Sequence, residues 1–397
     1  MSSGCATTTS TRSISLSGRG FASGTVTRRA YPFAWMGTVE FMEFGGTCDP
    51  QDAGLDPDLL TQAIELIETR GTIAQLCVVR DGRVVVDRSF GCPPDALFWL
   101  FSASKPYLAV VIHQLVESGR LHLDDAVAAY WPEFGENGKR EITVRHVLRH
   151  RSGVTNAGSY VGEVRAMTDW NRSLQRIEET KPRWPIGTVA YSPLAFGFIL
   201  SEVARRCSGV PIHELVRRFV LEPLGVADTY LGLPDDLWDR HVPIRATGPL
   251  GPFIQSVVNR RSTREAVVPA AGMSTTARDL VTFYQALLGG ALLRPETLAL
   301  ACEPSSEGDV DRTARAPIRW SQGFQLGGPR WIEGASTSLG SLSSPRTFGH
   351  NGSNCCIGWA DPDRQIAYAY LTNRVGRPTA DLTHHAAVAD KVLEAAG

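Results

Sequence analysis

The sequence lacks the long apolar and basic segments of membrane and nucleic-acid-binding proteins. Its 397 residues contain no apolar run approaching the roughly 18 residues that span a bilayer, and the most apolar stretch, 108–115, is interrupted by His113. The formal net charge is −1, and no basic tract offers a surface for phosphates. Hydrophobic residues make up 43% of the chain, which is typical of a globular protein. We therefore expect a soluble protein with no membrane span and no nucleic-acid partner.

Disulfide, zinc and secretion signals are also missing. The eight cysteines show no C-x-x-C spacing, which indicates reduced thiols in a cytoplasmic protein: Cys5, Cys48, Cys77, Cys92, Cys207, Cys302, Cys355 and Cys356. Residues 1–35 are rich in Ser, Thr and Gly, carry four Arg and no acidic residue, and lack the apolar segment of a secretory signal. We predict that residues 1–50 form a disordered extension, with Met36 as an alternative start of translation.

The remaining chain, 51–397, alternates between strand-like and helix-like patterns that indicate an α+β fold. Helical spacing is expected at 55–69 and 379–396, and two hairpins at 73–79 with 84–90 and at 355–360 with 365–372. These elements predict one antiparallel sheet built from both chain ends and flanked by the terminal helices. We assign 51–119 and 311–397 to this sheet lobe and 120–310 to a large, mainly helical inserted lobe. The cleft between the lobes is the expected site.

The run Phe101-Ser102-Ala103-Ser104-Lys105 offers a nucleophile and a base at the start of a predicted helix. Residues at i and i+3 share a helix face, so Lys105 can reach the Ser102 hydroxyl if burial or a nearby positive charge keeps the amine neutral. The unpaired N–H groups of the first turn favour negative charge at an attacked carbonyl. S-x-x-K alone is a weak signal, because a solvent-facing Ser and Lys would give the same pattern.

Further motifs follow in a fixed order. Tyr191 lies in Ala190-Tyr191-Ser192-Pro193, and His350-Asn351-Gly352-Ser353 precedes the second hairpin. This order resembles the serine β-lactamase and penicillin-binding-protein-like superfamily, particularly its family VIII carboxylesterase branch. The likeness runs from about residue 55 to the end of the chain and includes these stretches: 123–127, 131–134, 143–153, 222–225 and 271–280.

The resemblance assigns a role to each motif residue. It makes Ser102 the nucleophile, Lys105 its activator and Tyr191 a second base that relays a proton to the leaving group. A tyrosine of ordinary pKa needs a cationic neighbour to act as a base at neutral pH, and Lys105 is the expected one. The backbone N–H groups of Ser102 and Ser353 would form the oxyanion hole. The substrate-binding residues would be His350, Asn351, Gly352 and Trp359, while Trp99, Tyr107 and Trp359 are candidates for an acyl pocket or for the core.

Two departures from the superfamily pattern predict an esterase acting on a small-molecule substrate. Pro193 stands where penicillin-recognising members usually place Asn, so no side-chain amide holds an acyl-amide group. His350 replaces their usual Lys and is largely neutral at pH 7. The alternatives are β-lactamase, D-aminopeptidase or carboxypeptidase, oligoamide hydrolase or acyltransferase activity at the same site, or a catalytically silent binding protein.

Other chemistry has little support in the sequence. His146 and His150 lie at i and i+4, but the H-E-x-x-H pattern of a zinc site is absent. No G-x-S-x-G motif of an α/β-hydrolase occurs. His384 and His385 are expected to form a solvated surface pair. We predict no cofactor and no metal; the sequence does not determine the oligomeric state.

Overall fold

The computed structural model of the protein describes residues 47–328 and 337–397, in which the strands form three sheets. In chain order they are β1 (Ala74–Arg80), β2 (Arg83–Phe90), β3 (Phe98–Trp99), β4 (Thr229–Leu231), β5 (Arg245–Ala246), β6 (Met273–Thr275), β7 (Gln325–Leu326), β8 (Phe348–Gly352), β9 (Cys356–Asp361), β10 (Ile366–Thr372) and β11 (Arg374–Val375). The largest sheet has the order β2-β1-β10-β9-β8-β7, the second the order β3-β6-β4, and β11 pairs with β5.

The helices lie at both chain ends and in the long segment between β2 and β7. They are α1 (Pro57–Arg70), α2 (Lys105–Glu117), α3 (Val127–Tyr130), α4 (Val144–Leu148), α5 (Tyr160–Ala166), α6 (Trp170–Glu179), α7 (Ala195–Ser208), α8 (Ile212–Val216), α9 (Glu222–Leu224), α10 (Gly251–Val258), α11 (Arg261–Glu265), α12 (Ala277–Leu288), α13 (Pro295–Ala301) and α14 (Pro378–Ala395). Short 3₁₀ turns occur at Gln51–Ala53, Phe101–Ser104, Pro132–Gly135 and Asp235–Arg240, and Arg217–Leu221 forms a π-helical turn.

The six-stranded sheet is built from both chain ends, which confirms the predicted α+β architecture. β1 pairs antiparallel with β10, so that Leu76 lies opposite Tyr370. Successive residues of β1 point to opposite faces, and both faces are buried. Leu76 and Val78 pack with the terminal helices α1 and α14, while Cys77 and Val79 belong to the core shared with the inserted helices. The sheet is therefore a middle layer between the terminal helices and the inserted segment.

Local signals set the bounds of the first helix. Asp56 accepts the backbone N–H of Asp58 at 2.8 Å, Pro57 occupies the first turn, and Gly71 ends the helix in the left-handed conformation. The observed Pro57–Arg70 agrees with the predicted 55–69. Both predicted hairpins are present. Six of the eight predicted strand ends differ from the observed ends by one residue, and the other two agree.

The inserted segment contains strands that the sequence does not predict. β4, β5 and β6 are two or three residues long, so none of them is long enough to show the alternation of a half-buried strand. They matter for the site because β6 pairs with β3, which directly precedes Ser102. The lobe boundaries at 119/120 and 310/311 stay a prediction.

The expectation of a solvated surface pair on α14 was wrong for His385, and His384 is half-buried. His385 is buried against the Tyr370 ring, and His384 lies within hydrogen-bonding distance of the Tyr370 hydroxyl at 2.9 Å. Both rings lie near the Tyr370 ring of β10, and His384 keeps part of its surface exposed.

Several further expectations concern the chain as a whole. Most of the predicted extension 1–50 lies outside the described residues. Among the described helices, none is long and apolar enough to cross a membrane. The seven cysteines in the described part of the chain are free thiols. In the same part, no group of three or more His, Cys, Asp or Glu side chains is arranged to hold a metal ion.

Candidate active site

Ser102 lies in a strained 3₁₀ turn between β3 and α2. Phe101, just before it, has φ +49° although its side chain is bulky and buried, an arrangement that costs about 1–3 kcal/mol and persists only where neighbouring structure imposes it. Strand β6 supplies that constraint: the Leu100 N–H donates to the Met273 carbonyl at 2.9 Å, and the Met273 N–H donates to Ser104 Oγ at 3.1 Å. The turn carrying Ser102 is thus fixed at both ends.

Lys105 is completely buried, and its contacts suit a neutral amine. Its Nζ lies 2.8 Å from the Pro193 carbonyl, 3.3 Å from the Ala270 carbonyl and 3.1 Å from Ser102 Oγ. When the amine is neutral, it donates to the two carbonyls, and its lone pair can accept the Ser102 hydroxyl proton. Burial lowers the pKa of Lys105 well below its ordinary value. Lys105 can therefore act as a base toward Ser102.

Tyr191 approaches Ser102 from the segment that precedes α7. Its hydroxyl donates to Ser102 Oγ at 2.5 Å, and its ring lies 4.8 Å from Lys105 Nζ. Burial raises the pKa of Tyr191 above its ordinary value. The expected tyrosinate beside a cationic lysine is therefore opposed by the burial of both groups. The arrangement favours a neutral chain in which the phenol donates to the serine hydroxyl and the serine hydroxyl donates to the amine.

Gly352, at the end of β8, packs directly on the turn that carries Ser102. A Cβ atom at this position would lie 1.9 Å from the Leu100 carbonyl oxygen. The resemblance assigns Gly352 to substrate binding, whereas contact with the protein's own backbone is already enough to require a glycine here. Only a residue without a side chain allows β8 and the Ser102 turn to approach this closely.

The β8–β9 turn exposes Ser353. Ser353 and Asn354 have φ of +49° and +55°, and the Cys355 N–H donates to the Gly352 carbonyl at 3.0 Å, as in a tight hairpin turn. Asn351 braces this turn, because its Oδ1 accepts the Asn354 N–H at 2.8 Å and its amide nitrogen donates to the Asn354 side chain. Asn351 therefore shapes the turn through its own hydrogen bonds.

His350 is buried and uncharged at neutral pH. Burial is the main cause that lowers its pKa to about 3. Its Nδ1 lies 2.8 Å from the Asn351 carbonyl, and its ring centroid lies 6.3 Å from that of Tyr191. His350 thus brings no positive charge to the site.

The structure corrects the assignment of Trp359 to substrate binding. Its side chain is fully buried, stacks on Tyr368 at 4.7 Å between ring centroids, and belongs to the cluster beneath α1 and α14. On β9 the alternating side chains put Trp359 on the face of the sheet away from the inserted helices. The other two aromatic candidates are also core residues: Trp99 packs against Phe101, and Tyr107 stacks on Phe283.

The two histidines weighed as a metal pair serve other purposes. His146 completes the N-terminal cap of α4, where its Nδ1 accepts the Thr143 N–H at 3.1 Å. His150 is buried with its ring 4.8 Å from the Tyr191 ring, and its Nδ1 accepts the Ser192 N–H at 3.3 Å. His150 therefore packs behind the tyrosine motif.

Three residues near the site were missed by sequence reasoning. Asp311 is a buried carboxylate that accepts the Tyr191 N–H, and Trp320 stacks on the Tyr191 ring. Glu163, on α5, accepts the Ala157 N–H at 2.9 Å, and burial raises its pKa to about 7. All three lie outside the recognised motifs, and the contact of Asp311 with Tyr191 spans 120 positions. No local pattern signals such contacts.

A serine hydroxyl hydrogen-bonded to a buried lysine, on a sheet flanked by helices, is the arrangement found in one class of serine hydrolases. The family model described as Beta-lactamase matches residues 65–393, and the chain belongs to this family. The chain is 30% identical over 353 residues to the esterase/beta-lactamase LipL of Mycobacterium tuberculosis (strain ATCC 25618 / H37Rv), an alignment that covers 78% of this chain and 79% of the relative.

Solved structures share the fold over most of the chain. A penicillin-binding protein homologue from Caulobacter crescentus has a TM-score of 0.74 and 27% identity, covering 89% of this chain and all of that one. A family VIII carboxylesterase has a TM-score of 0.72 and 24% identity, covering 87% of this chain and 99% of that one. The predicted superfamily and its antiparallel-sheet fold are thereby confirmed.

Proposed function

We propose that this protein hydrolyses carboxylic esters of small molecules through an acyl-Ser102 intermediate. The observation that carries the proposal is the hydrogen-bonded chain from the Tyr191 phenol through Ser102 Oγ to the buried amine of Lys105. A serine hydroxyl is a weak nucleophile unless a neighbouring base takes its proton, and Lys105 is in place to do so.

Acylation involves all three hydrogen-bonded side chains: Lys105, Ser102 and Tyr191. Lys105 Nζ accepts the Ser102 proton as Oγ attacks the ester carbonyl, and the backbone N–H groups of Ser102 and Ser353 stabilise the oxyanion. When the tetrahedral intermediate collapses, Tyr191 gives its proton to the departing alkoxide and regains one from Lys105. Water then attacks the acyl group and gives a proton to the Lys105–Tyr191 pair, and this proton returns to Ser102 Oγ as the carboxylic acid leaves.

Two features of the site support esters over amides. Pro193 offers its carbonyl to Lys105 and has no side-chain amide for an acyl-amide substrate. His350 is neutral and so supplies no positive charge for the carboxylate of a penicillin-like substrate. An alkoxide is also a better leaving group than an amide nitrogen, so it depends less on exact protonation.

Amide hydrolysis at the same serine is the second candidate. It is favoured by the relative LipL, whose name combines esterase and beta-lactamase, and by the match to a penicillin-binding protein homologue. The nucleophile and base would act in the same way, and Tyr191 would protonate an amine.

A substrate panel separates the two candidates. Purified protein and its Ser102→Ala variant are assayed with p-nitrophenyl butyrate, a chromogenic cephalosporin and a D-Ala-D-Ala peptide. We expect ester turnover that is lost in the variant, with amide turnover at least about 100-fold lower in kcat/KM. Rapid cephalosporin or peptide turnover with negligible ester turnover would overturn the proposal in favour of the amide candidate.

A further inference from the structure

The backbone of Tyr191 is held by a buried carboxylate from a distant segment. Asp311 has no exposed surface, and the Tyr191 N–H lies 3.0 Å from its Oδ1 and 2.9 Å from its Oδ2. The N–H groups of Thr313 and Ala314 also donate to Oδ1, each at 2.8 Å. All of these partners are donors, as expected for an ionised carboxylate.

The same carboxylate fixes the ring that covers Tyr191. The indole Nε1–H of Trp320 donates to Asp311 Oδ2 at 3.0 Å. The Trp320 ring stacks on the Tyr191 ring, with centroids 5.1 Å apart and planes 6° from parallel. One buried side chain therefore controls both the main chain of Tyr191 and the surface against which its ring rests.

We propose that Asp311 is the positioning residue for Tyr191, holding its hydroxyl on Ser102 Oγ both directly and through Trp320. The inference deepens the proposed function, because it concerns the group that relays the proton there. The Tyr191 side chain has only two torsion angles between the backbone and the ring, so fixing the backbone and one ring face leaves little freedom for the position of the hydroxyl. Misplacing a catalytic group by about 1 Å costs on the order of 100-fold in rate.

The charge of Asp311 has a second effect on Tyr191. A buried anion near a phenol opposes loss of the phenolic proton, and Asp311 contributes to the raised pKa of Tyr191 after the larger effects of burial and of Tyr160. The other titratable side chains facing the Tyr191 ring are Lys105, His150, Tyr160 and His350. Burial lowers the pKa of the lysine and both histidines, and partial desolvation raises the pKa of Tyr160, whose ring is itself largely exposed; each shift favours the neutral form.

A double-mutant cycle tests the positioning role. The rate of Ser102 phosphonylation by a fluorophosphonate is measured for the wild type, Asp311→Asn, Tyr191→Phe and the double variant. An asparagine nitrogen in place of Oδ2 would face the indole N–H and release Trp320. We expect Asp311→Asn to lower the rate by about 10- to 100-fold in the wild type and by less than about 2-fold beside Tyr191→Phe. An equal loss in both backgrounds would overturn the inference, because it would show a role independent of Tyr191.

Two further variants guard against a loss caused by misfolding. Asp361→Asn is the matched control, since Asp361 is equally buried and also accepts a backbone N–H, that of Asp363 at 2.9 Å, at the far end of β9. We expect it to keep the wild-type rate. Trp320→Phe keeps a ring but removes the N–H. It should lower the phosphonylation rate in the wild-type background and have little effect beside Tyr191→Phe. An unchanged rate in Trp320→Phe would contradict the part assigned to that hydrogen bond.

A substrate-free titration separates this inference from the proposed function. Tyrosinate absorbance near 295 nm is followed with pH in the wild type and Asp311→Asn, each compared with its Tyr191→Phe counterpart. We expect the Tyr191 ionisation to begin at lower pH in Asp311→Asn, whereas identical titrations would refute the effect of the carboxylate. A wild type that titrates as expected but fails to hydrolyse esters would count against the proposed function alone.

Discussion

Replacing Gly352 with alanine tests whether the approach of β8 to the Ser102 turn is required for activity. The new Cβ would lie 1.9 Å from the Leu100 carbonyl oxygen, whereas real Cβ contacts essentially never fall under 3.0 Å. The strand end and the turn must therefore separate by about 1 Å, and a displacement of that size costs on the order of 100-fold in rate. We expect kcat/KM for p-nitrophenyl butyrate to fall by about that factor.

The assay pairs this variant with Gly289→Ala. Gly289 follows α12 with φ −79°, and a Cβ there would meet nothing closer than 3.5 Å, so this change should leave the activity intact. Circular dichroism and thermal unfolding establish that both variants are folded. Wild-type activity and an unchanged melting temperature in Gly352→Ala would refute the reasoning, since the clash would then be relieved without moving Ser102.

Three further predictions follow from the placement of individual side chains. Lys105→Met and Tyr191→Phe should each lower kcat for p-nitrophenyl butyrate by about 100- to 10,000-fold, and steady-state kinetics of the double variant should show much less than the product of the two losses. Trp359→Phe should lower the free energy of unfolding by about 1–3 kcal/mol in urea titrations while kcat/KM stays unchanged, because the side chain lies on the other face of the sheet; a selective loss of activity would contradict this placement. Burial raises the pKa of Glu163 from its ordinary value of 4.5 to about 7 in the folded protein. Protonated Glu163 therefore contributes to the stability of the protein, and this contribution is fully present below about pH 4.5 and is lost as the pH rises through about 7. The side chain of Glu163→Gln cannot ionise. In urea titrations between about pH 5 and pH 8, the free energy of unfolding should therefore fall less for this variant than for the wild type, with a difference of up to about 3 kcal/mol. An equal pH dependence of the unfolding free energy in the two proteins would contradict the assignment.

The sequence predicts those parts of the site that depend on local geometry or on motif order. Ser102 and Lys105 are three residues apart at the start of a helical segment, so their contact follows from helix geometry. Tyr191 lies 89 positions from Ser102, and only the order of motifs indicated that the two would meet. The antiparallel sheet was predictable because its two hairpins have strong turn signals and long alternating strands.

The remaining features depend on tertiary packing that has no local pattern. Alternation along β9 shows that Trp359 and Gly358 face opposite sides of the sheet, but it does not show which side carries the site. Asp311 reaches Tyr191 only through the folded chain, and nothing in its neighbourhood marks it as buried. The burial that raises the pKa of Tyr191 could likewise not be read from the motif, because it depends on how the folded chain covers the side chain.

The most direct test of the account is the identification of the residue that forms a covalent adduct. The protein is treated with a fluorophosphonate, and the adduct is located by intact mass and peptide mapping in the wild type, Ser102→Ala and Tyr191→Phe. We expect one adduct on Ser102 in the wild type, none in Ser102→Ala although the protein stays folded, and slow formation of the same adduct in Tyr191→Phe. An adduct on another residue, or persistent labelling of Ser102→Ala, would contradict the assignment of Ser102 as the nucleophile.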